Sequence, residues 1–141
     1  MACLALLAAN IAHSQSPGAT SAPLAMKGYD PVAYFTDGKA TPGSSAFSHI
    51  WDGVRYQFAS AAHRDLFAAD PARYAPQFSG SCTASMANGL RIEGNPETWV
   101  IADGRLFLFA GPQGLDMARA NPNLLASAGR NWQMLGAATA K

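Results

Sequence analysis

Two sulfur groups and two imidazoles are the side chains of this sequence best suited to chemistry. Cys82 and Met86 stand four residues apart in a stretch, 82–88, that reads as a short helix closed by Gly89. That spacing would place both on one helix face. A thiolate and a thioether are soft ligands that favour Cu(I). His49 and His63 are the available nitrogen partners. His49 lies between Phe47 and Trp51, so positions 47, 49 and 51 share one side of a strand. His63 falls three residues after Ser60, in the first turn of an expected helix. Each also has a plain structural role to weigh: cysteine and methionine are common core residues, and a histidine in a first helical turn is commonly a surface group. A Cys82/His63 or Cys82/His49 pair would instead make a nucleophile with its base. The chain has no Gly-x-Ser-x-Gly, no phosphate loop and no His-Glu-x-x-His. Asp30, Asp65 and Asp70 read as turn and cap residues.

The elements that must position these groups follow from local pattern. Residues 32–35 read as a short strand. Phe47 to Trp51 and Val54 to Phe58 alternate apolar with polar residues around Asp52-Gly53, a strong hairpin turn. Val54, Tyr56 and Phe58 then face inward. Ser60 caps a helix over 61–69 with Leu66 and Phe67 inward. Asp70-Pro71 caps and starts another short helix. A second hairpin pairs residues 98–101 with 105–109 around Asp103-Gly104. Asn121-Pro122 opens a last helix carrying Leu124, Leu125, Trp132 and Leu135. The expected class is α+β: a small single domain of antiparallel β-hairpins packed with short helices. No internal repeat stands out.

Several separated motifs recur in a known order. They are Lys27-Gly28-Tyr29-Asp30-Pro31-Val32-Ala33-Tyr34-Phe35, then Trp51 to Ser60, His63-Arg64-Asp65-Leu66-Phe67 and Asp70-Pro71-Ala72-Arg73-Tyr74. This run resembles the YHS domain family, and more closely its small exported members. The resemblance covers roughly residues 26–135. It implies a role in handling heavy metals. The positions where short YHS domains carry three cysteines align with Ala33, Ala59 and His63, so a closed four-ligand zinc site is not expected there. Packing of Tyr34, Phe47, Trp51, Tyr56, Phe58 and Phe67 would hold the fold instead. Gly80-Ser81-Cys82-Thr83-Ala84 is similar to a cysteine context of the larger YHS-like proteins.

Composition bounds the rest. The 141 residues include 49% hydrophobic and 13% charged, with a net charge of +1. That suits a folded domain, and the lack of a basic stripe argues against a nucleic-acid partner. Residues 1–12 are almost wholly apolar and Ala12-His13-Ser14 offers a cleavage site, so 1–14 are expected to be a signal peptide, although no Lys or Arg precedes them. Residues 15–25 read as a linker, 26–135 as the domain and 136–141 as a tail. No later apolar run would span a membrane. Export to the periplasm or outside would leave Cys82 without a disulfide partner, since Cys3 is the one other cysteine. The expected function is non-catalytic binding of a metal ion, such as copper or another soft metal, or of a small ligand, with Cys82, Met86, His49 and His63 as ligands. The alternatives are a thiol-based redox or catalytic protein centred on Cys82 and a structural or protein-interaction module.

Overall fold

The computed structural model describes residues 22–139, with side chains as far as Gly136. The expected signal peptide and most of the linker lie outside the described residues. The fold is α+β, with two antiparallel hairpins and short helices. Its helices are α1 (Ala33–Thr36), α2 (Ala61–Ala69), α3 (Pro71–Tyr74), α4 (Thr83–Met86), α5 (Pro112–Ala120) and α6 (Asn123–Thr139). Strands β1 (Ser44–Trp51) and β2 (Val54–Phe58) form one hairpin. Strands β3 (Asn95–Ala102) and β4 (Arg105–Phe109) form the other. Among the described residues no helix is long and apolar enough to cross a membrane.

The chain repeats itself, contrary to the sequence reading. A tight turn at Ala25–Gly28, then α1, a hairpin and two helices are followed by a turn at Gln77–Gly80, α4, a hairpin and two helices. Matching residues lie 51 or 52 positions apart. Ser44 pairs with Phe58 and Ser48 with Gln57; Asn95 pairs with Phe109 and Trp99 with Leu108. Each hairpin thus carries the same bulge, with extra residues on its first strand. Tyr29 bridges Pro42 as Ser81 bridges Glu93. Asp52-Gly53 and Asp103-Gly104 both adopt positive φ, as the expected hairpin turns require.

The two opening turns are left-handed. Met26, Lys27 and Gly28 have φ of 54°, 51° and 83°; Phe78, Ser79 and Gly80 have 58°, 54° and 82°. Such a conformation costs a non-glycine residue about 1–2 kcal/mol. It persists because both turns are pinned. Gly43 N–H donates to the Gly28 carbonyl at 2.8 Å, and Gly94 N–H to the Gly80 carbonyl at 3.0 Å. The approach demands glycine: a Cβ on Gly43 would lie 2.6 Å from the carbonyl carbon of Gln57, and one on Gly94 2.6 Å from the Gly80 oxygen. The start of the packed unit reaches back to Pro23, whose carbonyl accepts from Arg55 N–H, and Ala25 is in the core.

Two hydrophobic clusters result, and β4 separates them. Leu106 and Leu108 join Val32, Tyr34, Tyr56, Phe58 and Phe67. Phe107 and Phe109 join Phe78, Cys82, Met86, Leu124 and Ala128. Successive side chains of a strand point to opposite faces, so one strand serves both cores. The Tyr34 hydroxyl donates to the Pro96 carbonyl at 2.7 Å, a further tie between the repeats.

Several local expectations change. Residues 32–35 are not a strand, because helical turns begin directly after Pro31. Leu66 points outward and is 43% exposed, while Phe67 is fully buried. The Asp70 side chain makes no capping bond, whereas Ser60 Oγ does accept from His63 N–H at 3.1 Å. Helix α5, absent from the sequence reading, fills the stretch after β4.

We expect Gly43→Ala and Gly94→Ala each to destabilise the protein by about 1–3 kcal/mol in urea melts, since backbone rather than a movable side chain stands in the way. Lys27→Gly, at an exposed left-handed position, should stabilise by about 0.5–1 kcal/mol, the relieved strain less the added unfolded-chain entropy.

Candidate functional site

Asp30 and Cys82 each follow a left-handed turn and hold matching places. Asp30 N–H donates to the Thr41 carbonyl and Cys82 N–H to the Ile92 carbonyl. The carboxylate of Asp30 is fully buried. Its Oδ1 accepts from the N–H groups of Val32 at 2.8 Å and Ala33 at 3.3 Å. Its Oδ2 accepts from Ala59 N–H at 2.9 Å and lies 2.6 Å from His63 Nδ1. An ionised carboxylate only accepts, so Nδ1 carries the hydrogen between them. His63 Nε2 lies 3.3 Å from Thr36 Oγ1. The first amides of α1, the end of β2 and the start of α2 are thereby tied to one side chain. The three positions that the YHS resemblance assigns to ligands, Ala33, Ala59 and His63, all touch this carboxylate.

The thiol of Cys82 receives the corresponding donors. Burial pushes its pKa up. Hydrogen bonds from the Ser85 hydroxyl and from the N–H groups of Ser85, Ala110 and Ala84 outweigh that, and the pKa falls below its ordinary value of 9.0. Ala84, Ser85 and Ala110 are the counterparts of Val32, Ala33 and Ala59. The groups that lower the thiol pKa therefore stand at the positions matching the amides around the Asp30 carboxylate.

The fourth partner differs. The counterpart of His63 is Gly114, which has no side chain to offer. A cavity of about 490 Å³ opens there, with Cys82 and Gly114 in its wall. Ser85, Asn88 and Gln113 give the lining neutral polar groups; Leu90 and Met117 give it apolar ones. Among the described residues the lining includes no Asp, Glu, Lys, Arg or His. Leu90 and Met117 are 56% and 51% exposed, so the apolar part lies toward solvent.

The residues expected to act together are divided between the repeats. His49 is half-buried with its ring edge-on to Phe67, centroids 5.9 Å apart. His63 is committed to Asp30. Cys82 forms part of the cavity wall, but Met86 is fully buried in the second cluster and does not line the cavity. Cys82 precedes α4 with extended ψ of 119°, so the four-residue spacing does not put the two sulfurs on one helical face. Met86 instead fixes that helix: its N–H donates to the Cys82 carbonyl, and its own carbonyl accepts from Asn131 Nδ2 at 2.9 Å. Among the described residues no three His, Cys, Asp or Glu side chains come together. The set of Cys82, Met86, His49 and His63 does not fit a metal centre of three or four ligands. The sulfur that shares the cavity with Cys82 is Met117, on the helix that the sequence reading missed.

Comparison of the chain with family models, with curated proteins and with solved structures finds no match.

Asp30→Ala should cost about 3–5 kcal/mol, because it strands three N–H groups and the His63 ring around a buried site. His63→Ala should cost less, since the carboxylate keeps its three backbone donors. Equal losses in chemical denaturation would show that the imidazole, not the amide cradle, carries the interaction.

Proposed function

We propose that this chain is a small exported YHS-like protein that holds a small neutral ligand in the cavity beside Cys82, with the thiolate as the group that recognises it. The observation that carries this reading is the cavity of about 490 Å³ that opens where Gly114 lacks a side chain, with the buried Cys82 in its wall. A space of that size suits a small organic molecule better than a bare ion, which needs donors converging within about 2–2.6 Å. The uncharged lining favours a neutral ligand, because a buried charge without a partner is costly. Asn88, Gln113 and Ser85 would orient it by hydrogen bonds, and Leu90 and Met117 would cover its apolar surface.

Binding is favoured over turnover by what surrounds the thiol. General acid–base chemistry needs a partner for the thiol within hydrogen-bond reach, and among the described residues no carboxylate, amine, guanidinium or imidazole lines the cavity.

Iodoacetamide labelling of Cys82 across pH tests this. The rate should reach half its plateau below pH 9.0, the ordinary thiol value. A midpoint at or above that value would overturn the proposal. The same shift affects stability. A thiol more acidic folded than unfolded stabilises the fold above the unfolded pKa, and loses that contribution as pH falls through the folded pKa. The stability difference between wild type and Cys82→Ala should therefore shrink as pH is lowered through that range.

A further inference from the structure

A second cavity, sharing no lining residue with the one beside Cys82, lies where the two repeats meet. Trp51, Asp52 and Tyr56 of the first hairpin, Phe78 of the second opening turn and Trp132 of α6 contribute to its wall. Its volume is about 220 Å³, below the roughly 300–1,000 Å³ of pockets for drug-sized molecules. Four of its lining side chains are aromatic. Among the described residues its one charged lining group is the Asp52 carboxylate, with no Lys, Arg or His. Ring faces are electron-rich and attract a cation within about 6 Å of the centroid. We propose that this cavity binds a small quaternary ammonium compound of choline size, with the rings against its methylated nitrogen and Asp52 as its counter-charge.

Two polar groups of the wall stand without protein partners. The Asp52 carboxylate makes no ion pair among the described residues. Tyr56 is 2% exposed, yet its hydroxyl has no hydrogen-bond partner among the described residues. A buried phenol ordinarily finds one. Burial pushes the Tyr56 pKa up to about 12, and the Asp52 charge adds to the shift, so the carboxylate stands near a phenol that stays neutral. The wall also selects the type of cation. A primary ammonium or a guanidinium taken out of water needs an acceptor for each N–H, and ring faces are poor ones. A quaternary ammonium has no N–H and spreads its charge over methyl groups that pack on aromatic faces. Trp132 already holds a cation: the Arg91 guanidinium stands over its ring, 4.7 Å from the centroid, and Arg91 does not line the cavity. Gln77 and Ser79 give the wall hydrogen-bonding groups for a ligand hydroxyl. A ligand with its own carboxylate would bring it toward Asp52, so a zwitterion is disfavoured.

The test is calorimetric titration of the whole protein with choline at constant ionic strength, with 3,3-dimethylbutanol as control. The control keeps the shape of choline and has carbon in place of the charged nitrogen. Choline should bind saturably and raise the melting temperature. The neutral isostere should bind about tenfold more weakly, and glycine betaine, which adds a carboxylate, should also bind more weakly than choline. Asp52→Asn removes the charge while suiting the same left-handed turn position, φ 51°. It should weaken choline binding by about two- to fivefold, as loss of an exposed charge pair does, and leave the melting temperature of the free protein unchanged. Trp132→Leu should weaken binding by about tenfold. If that variant does not fold, Asp52→Asn and the isostere still decide the matter. Equal binding of choline and its isostere, betaine binding as tightly as choline, unchanged affinity in Asp52→Asn, or no response to choline overturns the proposal. Phosphatidylcholine vesicles present the same cation at a membrane. Co-sedimentation with them, without a response to free choline, would overturn the small-molecule assignment in favour of a lipid surface.

Discussion

One buried acceptor in each repeat gathers backbone amides from two separate segments, and the rest of the structure is arranged around that requirement. Amides removed from water need partners, and an unmet one costs about 1–3 kcal/mol. In the first repeat Asp30 meets the need at the start of α1 and the end of β2 together. The left-handed turn before it is strained, yet it delivers the carboxylate into the gap between those segments. In the second repeat the acceptor is sulfur, which is weaker. The structure compensates locally: the Ser85 hydroxyl adds a donor to the thiol, and Asn131 on α6 caps the far end of α4 through the carbonyls of Met86 and Ala87.

The two repeats share a frame but have diverged in what the acceptor meets. A histidine closes the first site; a glycine leaves the second one open. The residues that differ at matching places, Asp30 against Cys82 and His63 against Gly114, are the ones with chemical consequence. The matching hairpins and turns carry the frame. Strand β4 shows how closely the halves depend on each other. Its leucines pack against the first core and its phenylalanines against the second. Neither repeat therefore has a complete core alone.

Signals with short range were legible in the sequence. Asp52-Gly53 and Asp103-Gly104 announce their turns because both residues tolerate positive φ, and Ser60 announces α2 because its hydroxyl can cap. The α+β class and the inward face of Tyr56 and Phe58 follow from the same alternation. What lay beyond the pattern was long-range. A buried Asp30 that collects an amide 29 residues away looks, in one dimension, like any aspartate before a proline. The repeat was hidden because its matches are scattered and its offset slips by one residue. Asp52-Gly53 and Phe58-Ala59 do return as Asp103-Gly104 and Phe109-Ala110, and that recurrence was the available signal. Cys82 could be singled out by type, but not its partner. The i, i+4 rule assumed a helix that starts one residue later, and the cavity depends on a side chain that position 114 lacks.

The bulge shared by both hairpins also bears on solubility. A sheet of two strands exposes its outer backbone groups, and a regular outer strand invites a second chain to align against it. Here β1 and β3 each spend four residues, from Ser44 to Ser48 and from Asn95 to Trp99, on one step of their partner strand. The spacing of free N–H and C=O groups along them is thus broken where an incoming strand would need it even. Straightening either bulge by deletion would restore a continuous ribbon edge and, with it, a route to fibrils.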